Sequence, residues 1–197
     1  TQNRRKFSAV MGNTMDNVIT TITEGDLSYI IRYSKPEDFE QVFDIWYENQ
    51  KYSTNRLELK DKQLLKKRLQ YQFENQDNDF KFWLAEFDDK IIEYQATNPT
   101  ETNPLMYSEI AESSTYVIKD YWDKNIGFNL MKICLSELPN TNIKTFQGKI
   151  AVTTNMAMKL IAERLGWQHL CNIPESDKEP KIPESMFLIY NVPKNEK

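Results

Sequence analysis

The sequence predicts an α/β fold in which about seven strands form a mixed central β-sheet flanked by about four helices. Short apolar runs of period two alternate with segments whose apolar residues recur every three or four positions, in the order βααβββαβαββ. The 197 residues, of which 40% are hydrophobic, suit a single domain with a sizeable core. We expect this domain to span residues 28–197. Residues 1–27 lack a clear hydrophobic period and are expected to be an N-terminal extension.

The first half of the domain is predicted to contain one strand, two helices and a hairpin. The strand covers residues 27–33, the helices lie between residues 37 and 46 and over 57–73, and the hairpin pairs 80–87 with 90–96 across Asp88 and Asp89. The second half is predicted to alternate strands and helices before two closing strands. These segments are strand 105–118, helix 129–138, strand 143–152, helix 155–165, and strands 167–172 and 186–192.

Charge and cysteine usage restrict the class of protein. A formal net charge of −4 argues against nucleic acid as the main partner, and no apolar run is long enough to span a membrane. Cys134 and Cys171 lie in a helix pattern and a strand pattern, which is typical of buried free thiols in a reducing, cytoplasmic compartment. Together with the single His169 they form no metal-ligand spacing, so no metal site is expected.

Two blocks of sequence carry the functional signal. Residues 111–130 predict a strand, a tight turn and the start of a helix. Residues 155–167 predict a short helix that ends at Gly166 and is followed by Trp167. A helix N-terminus after such a turn presents several backbone N–H groups to an anion such as pyrophosphate. Asn125 tolerates left-handed dihedral angles, and Gly127 allows close approach to the backbone.

The order and spacing of these blocks resemble the GCN5-related N-acetyltransferases (GNAT), most closely the branch similar to phosphinothricin acetyltransferase. The resemblance covers roughly residues 29–192. It implies the GNAT fold, whose central strands are splayed, with acetyl-CoA as cosubstrate and no metal. It also implies direct transfer of the acetyl group to a primary amine of a small molecule, without a covalent enzyme intermediate.

The resemblance assigns cofactor contacts to the strand and the turn of the first block. Tyr116, Val117 and Ile118 would pair with the pantetheine amides, and a backbone N–H of this strand would polarise the thioester carbonyl. The pyrophosphate would be held by Lys124, Asn125, Ile126, Gly127, Phe128 and Asn129. Asn155 would contact the pantetheine, although capping of its own helix is an equally good explanation of this residue.

The resemblance also assigns a catalytic base. Glu112 occupies the place of the glutamate that takes the proton from the acceptor amine. Glu109 is the competing carboxylate, which strand alternation places on the opposite face. Three positions depart from the family pattern: Trp122 replaces Arg or Gln, Asn125 replaces Gly, and Ala162 replaces the Tyr or His that protonates the leaving thiolate.

These departures leave an alternative open, namely a catalytically weakened acyl-CoA-binding or interaction module. Tyr116, Tyr121 and Tyr190 are the remaining candidate proton donors. Trp46, Tyr47 and Tyr52 are candidates to line the acceptor site, although aromatic residues at such positions more often serve packing. Acetylation of a protein N-terminus or lysine is a third alternative. The oligomeric state is open, with a homodimer as one option.

Overall fold

The computed structural model describes residues 17–50, 62–100, 109–151, 155–175 and 184–194. Eight strands form one sheet in the order β1-β2-β3-β4-β5-β6-β8-β7. The strands are β1 (Val18–Glu24), β2 (Leu27–Tyr33), β3 (Phe82–Phe87), β4 (Lys90–Pro99), β5 (Ile110–Val117), β6 (Thr145–Ala151), β7 (Gln168–Ile173) and β8 (Ser185–Asn191). The α-helices in the described segments are α1 (Phe39–Asn49), α2 (Lys62–Glu74), α3 (Ile126–Glu137) and α4 (Met156–Arg164). The predicted α/β class and element order are confirmed, with one additional strand.

The additional strand is β1, which forms an antiparallel hairpin with β2 at the edge of the sheet. The predicted boundary at residue 28 falls inside this hairpin. Only one edge of β1 is paired, and its side chains are at most half-buried, so threonine replaces most of the apolar residues of an inner strand. For this reason residues 18–24 carry no strong hydrophobic period.

The predicted β3–β4 hairpin is confirmed, with Asp88 and Asp89 at its turn. Both residues have positive φ, 50° and 58°, as a two-residue hairpin turn with the right-handed twist of its strands requires. Inside the sheet, β4 is buried from Ile91 to Thr97, so both of its faces are covered by helices or by neighbouring chain.

Two apolar cores lie on opposite faces of the sheet. The larger core packs α3 and α4 against the sheet and includes Leu130, Phe146 and Ala162. The smaller core packs α1 and α2 on the other face, around Phe43 and Phe73. Ile92 of β4 belongs to the larger core and Ile91, Tyr94 and Ala96 belong to the smaller one, because a register shift against β3 interrupts the alternation of β4 between Ile91 and Glu93.

One cysteine prediction is wrong. Cys134 is buried in α3 as expected, but Cys171 is exposed because β7 is the outermost strand beyond β8 and most of its side chains face solvent. Of the helices in the described segments, none is long and apolar enough to cross a membrane. In the same segments, no three His, Cys, Asp or Glu side chains gather as metal ligands would.

Candidate active site

The sheet opens between its two central parallel strands. On one edge β5 pairs with β4 in continuous register from Ala111 to Val117. On its other edge β5 pairs with β6 at only three positions, the last being Glu112 with Gln147. Beyond this point β6 continues beside β8 to Ala151, while β5 runs on without a strand on that side. The expected splayed strands are therefore present, and the gap between them begins at Ser113 and Gly148.

Backbone alternation decides which main-chain groups of β5 face the gap. The Ile118 N–H donates to the Ile92 carbonyl oxygen at 2.9 Å, and the Ile118 oxygen accepts from Tyr121 N–H at 2.9 Å. Residues in register with an antiparallel neighbour alternate in direction, so Tyr116 also bonds towards β4, whereas Thr115 and Val117 point towards the gap. The main chains of Tyr116 and Ile118, for which cofactor pairing was expected, are therefore already bonded within the protein, and of the three predicted residues only Val117 faces the gap.

The carbonyl oxygen of Val117 is held by two side chains that the sequence did not single out for this role. Asn49, the last residue of α1, donates its Nδ2–H to this oxygen at 3.1 Å. Trp122, which replaces the family's Arg or Gln, donates its indole Nε1–H to the same oxygen at 3.3 Å. Trp122 thus reaches back over the end of β5, and α1 is tied to the gap-facing edge of that strand.

The turn before α3 has the geometry of an anion site. Asn125 adopts the expected left-handed conformation, with φ 57° and ψ 7°, and Asp123 is also left-handed with φ 62°. No side chain caps the N-terminus of α3, and its first turn contains no acidic residue. The first N–H groups of a helix lack intrahelical partners, so those of Ile126, Gly127 and Phe128 remain available to a ligand.

The side chains of this turn have different surroundings. Lys124 is exposed next to the helix N-terminus, where its charge can approach an anion. Ile126 is 1% exposed and anchors the first turn of α3 in the larger core. Phe128 is half-buried beneath the guanidinium of Arg164 on α4, 4.3 Å from the ring centre, so α3 and α4 are joined beside the gap. The side chains of Ile126 and Phe128 are therefore engaged in packing, so any ligand contact of these residues falls to their main-chain N–H groups.

Asn129 does not have the predicted role. Its N–H closes the first helical bond to the Asn125 carbonyl oxygen at 3.1 Å. Its Nδ2 donates to the Glu24 carboxylate at 2.6 Å and to the Tyr29 hydroxyl at 3.0 Å. Asn129 therefore fixes α3 against the β1–β2 hairpin, and both its backbone N–H and its Nδ2 donor are already used.

The second block has the expected local structure. Asn155 caps α4 by accepting from the Met158 N–H at 3.3 Å, so the capping explanation is confirmed and any cofactor contact falls to its Nδ2. Gly166 has φ 83°, the left-handed conformation that ends the helix. Trp167 is 8% exposed and its ring packs against Phe146 and Tyr190, which makes this residue structural.

Glu112 and Glu109 differ in their surroundings. The Glu109 side chain is exposed and forms an ion pair with Lys144 at 2.5 Å. Glu112 lies at the last paired position before the gap, is half-buried, and has no hydrogen-bond or ion-pair partner in the described part of the chain. Its carboxylate lies close enough to Tyr116 to raise the pKa of that hydroxyl, after the larger effect of burial.

Aromatic residues of α1 lie on the same face as Glu112. Trp46 and Tyr47 pack against the same smaller core as Tyr116, and Trp46 and Gln50 are hydrogen-bonding neighbours of the Tyr116 hydroxyl. The Tyr116 ring lies 5.3 Å from that of Tyr94. These side chains form a wall next to the candidate base. The third predicted aromatic, Tyr52, lies outside the described residues.

The α4 position that carries an acid in the family holds a buried methyl group. Ala162 is 3% exposed and belongs to the larger core. The three candidate donors lie elsewhere: Tyr116 is in the aromatic wall, Tyr121 packs against Phe87, and Tyr190 packs against Trp167. None of these three tyrosines therefore lies at the α4 position from which the acid acts in the family.

Sequence inspection missed a second carboxyl group beside the site. Glu93 on β4 is 0% exposed, and neither of its oxygens has a hydrogen-bond partner among the described residues. A Cβ built on Gly127 would lie 3.0 Å from Glu93 Oε1. Gly127 thus makes room for Glu93, in addition to any close approach to a ligand. The signal available in the sequence was a charged residue inside the buried run of β4.

Comparison with known proteins agrees with this geometry. The model of the Acetyltransferase (GNAT) family matches residues 39–167, more than half of the chain. The chain therefore belongs to this family, and the predicted class, an N-acetyltransferase enzyme, is confirmed. A search of the curated proteins finds no match.

Solved structures share the fold at low sequence identity. The chain is similar to yncA from Salmonella typhimurium with its cofactor acetyl-CoA, with TM-score 0.72 and 14% identity over 86% of this chain and 96% of that one. It is similar to the phosphinothricin acetyltransferase of Sinorhizobium meliloti in complex with acetyl-CoA (TM-score 0.69, 14% identity, 83% and 88% covered). A third similar structure is the ribosomal-protein-alanine N-acetyltransferase of Brucella melitensis (TM-score 0.66, 18% identity, 82% and 99% covered). The predicted cosubstrate agrees with the two structures that hold acetyl-CoA.

Proposed function

We propose that this chain transfers the acetyl group of acetyl-CoA directly to the primary amine of a small molecule. The observation that carries the proposal is the gap between β5 and β6, which leaves the main-chain groups of Thr115 and the N–H of Val117 without a strand partner. A cofactor arm that carries amide groups can complete this edge as an added strand would. The uncapped N-terminus of α3 lies where the same arm would end in its pyrophosphate.

Within this site, Glu112 would act as the base. The amine nitrogen attacks the thioester carbonyl, its proton passes to the Glu112 carboxylate directly or through water, and the C–S bond breaks to release the CoA thiolate. The position of Glu112 at the start of the gap, next to the aromatic wall, supports this role. The half-buried carboxylate has no cation beside it in the described segments, so it is available to accept a proton.

The remaining charges of the reaction have candidate partners. The negative charge that develops on the thioester oxygen would be stabilised by the gap-facing N–H of Val117 or Thr115. The leaving thiolate would take its proton from solvent, because Ala162 offers none and a thiol has a pKa of about 8.5. Lys124, together with the N–H groups at the start of α3, would hold the pyrophosphate.

The acceptor is proposed to enter on the face of the sheet that carries α1. Trp46, Tyr47 and Tyr116 supply apolar and aromatic surface there, and Glu112 supplies a negative charge next to it. This combination suits a small molecule that carries one primary amine on an apolar or aromatic body.

The proposal is tested by the release of free thiol from acetyl-CoA in the presence of a panel of small primary amines. We expect turnover with at least one amine, and Glu112→Gln should lower kcat about 100-fold or more because general-base catalysis is lost. The thermal shift produced by CoA should persist in this variant. Glu109→Gln, which removes only an exposed ion pair, is the matched control and should retain kcat.

A retained rate in Glu112→Gln would remove Glu112 from the mechanism. A CoA-induced shift without turnover on any amine, including peptide N-termini and lysines, would favour the acyl-CoA-binding module.

A further inference from the structure

The most unusual polar group in the described part of the chain is the carboxyl of Glu93. It is fully buried, and both of its oxygens lack hydrogen-bond partners. A buried ionised carboxylate without a partner is costly, and such a group keeps its proton instead. Burial raises the pKa of Glu93 well above the ordinary value, and no nearby cation opposes this effect. Glu93 therefore keeps its proton to a higher pH than an exposed glutamate does.

Its position relates it to the candidate pyrophosphate site. Glu93 lies opposite Val117 in the β4–β5 register, and its carboxyl reaches the first turn of α3. A Cβ on Gly127 would lie 3.0 Å from Oε1 and 3.8 Å from Cδ of Glu93. The carboxyl thus approaches the N-terminus of α3 from the inside of the protein, while a pyrophosphate would approach it from the solvent side.

The groups that face Glu93 do not neutralise it. From β2 comes Tyr29, whose pKa is raised to about 12 mainly by burial and in smaller part by Glu24 and Glu93, so this hydroxyl stays neutral. On α4, the uncharged side chain of Ile161 lies 3.7 Å from the same Cβ position of Gly127. The charged residues nearest in the chain to this end of α3 are Asp123 and Lys124, both exposed.

Two more charged groups belong to the same surroundings and are already engaged. The guanidinium of Arg164 on α4 stacks on Phe128. The carboxylate of Glu24 on β1 accepts a hydrogen bond from Asn129. Among the described residues, neither oxygen of Glu93 has a hydrogen-bond partner, so neither of these two groups bonds to it. The proton on Glu93 is therefore what keeps this end of the helix free of an internal negative charge.

We propose that Glu93 is a positioning residue for the cofactor: its protonated carboxyl leaves the N-terminus of α3 free to bind pyrophosphate, and loss of that proton to solvent opposes binding. Two negative charges at one helix terminus repel each other, and they compete for the same helix dipole. The affinity for CoA therefore falls as the pH rises through the pKa of Glu93. By linkage the loss approaches about tenfold per pH unit. This inference rests on the proposed cofactor site.

The test is isothermal titration of the full chain with CoA between pH 6 and 9.5, for the wild type, Glu93→Gln and Glu109→Gln. Ionisation of CoA itself affects all three proteins equally. We expect the ratio of the wild-type Kd to the Glu93→Gln Kd to rise with pH, towards about tenfold per pH unit. Glu109→Gln should follow the wild type. Parallel pH profiles for the wild type and Glu93→Gln would overturn the role of Glu93 while leaving the cofactor site intact.

A second measurement on the unmodified protein guards against misfolding of the variant. Titrations in two buffers with different ionisation enthalpies report protons taken up on binding. We expect net proton uptake by the wild type in the pH range where its affinity falls, beyond that of CoA alone. Binding without such uptake at any pH would overturn the proposal. Absence of CoA binding at every pH would overturn the cofactor site itself, and the role of Glu93 with it.

Discussion

The two helices that follow the diverging strands begin in opposite ways. After β5, the N-terminus of α3 has no side-chain cap and is entered through the left-handed residue Asn125. After β6, the N-terminus of α4 is capped by its own Asn155, which accepts from the Met158 N–H. At a capped terminus, a side chain accepts a hydrogen bond from one of the first backbone N–H groups of the helix. At an uncapped terminus, these N–H groups are left to solvent or a ligand. The difference supports the proposal that the pyrophosphate binds at the N-terminus of α3.

The largest effect is expected from Asn125→Val, which strains the left-handed backbone conformation at the uncapped N-terminus of α3. A β-branched residue in the left-handed region costs about 1–2 kcal/mol, and a turn that relaxes away from this conformation misdirects the N–H groups of α3. We expect the CoA affinity to fall about tenfold or more, together with a loss of stability of about this size. Titration calorimetry and urea denaturation measure the two quantities.

The matched control is Asn125→Gly, since glycine adopts the left-handed conformation without strain. It should keep the affinity for CoA close to that of the wild type. If the valine and glycine variants bound CoA equally well, the left-handed turn would have no part in the site.

A second difference between the two termini is the carboxyl beneath α3, which predicts a pH dependence of stability. The folded-state pKa of Glu93 lies above the ordinary value of 4.5, so the unfolded chain loses this proton first as the pH rises. The folded state then binds more protons, and the free energy of unfolding falls with pH between those two pKa values, by at most about 1.4 kcal/mol per pH unit.

Glu93→Gln removes this titration. In urea denaturation, its stability relative to the wild type should increase as the pH rises above 4.5, until the folded wild type also loses this proton. Glu109→Gln, at an exposed ion pair, should show no such trend relative to the wild type. A constant difference between Glu93→Gln and the wild type across this range would mean that Glu93 does not change its protonation on unfolding.

The smallest effect is expected at the capped terminus. Asn155→Ala removes the cap of α4 and should cost about 1 kcal/mol of stability. Asn155→Ser retains a capping oxygen and loses the Nδ2 donor. If that donor contacts the pantetheine, the serine variant should keep its stability and bind CoA about fivefold more weakly, the value of about one hydrogen bond. Unchanged affinity in both variants would restrict Asn155 to capping.

Local sequence features predicted the parts of the site that depend on the backbone of single residues. The left-handed conformation of Asn125, the helix stop at Gly166 and the turn at Asp88 and Asp89 follow from the dihedral preferences of these residue types. The element order followed from hydrophobic periodicity. Strand β1 was not predicted because an edge strand with few buried residues has little apolar alternation.

The remaining features depend on contacts between distant segments. The direction of each main-chain group in β5 is set by its register with β4, which corrected the roles of Tyr116 and Ile118. Asn129 is occupied by the β1–β2 hairpin, about 100 residues earlier in the chain. Glu93 lies next to the first turn of α3 only because α3 packs over β4. Sequence patterns carry no information on such pairings.

The central claim is that a cofactor binds in the gap by completing the free edge of β5. The most direct test follows backbone amide resonances of β5 by NMR during titration with CoA. We predict large shifts and slowed hydrogen exchange for the amides of Thr115 and Val117, with smaller changes at Tyr116 and Ile118, whose amides bond to β4. Equal or larger changes at Tyr116 and Ile118, or no change along β5 while CoA binds, would contradict the account.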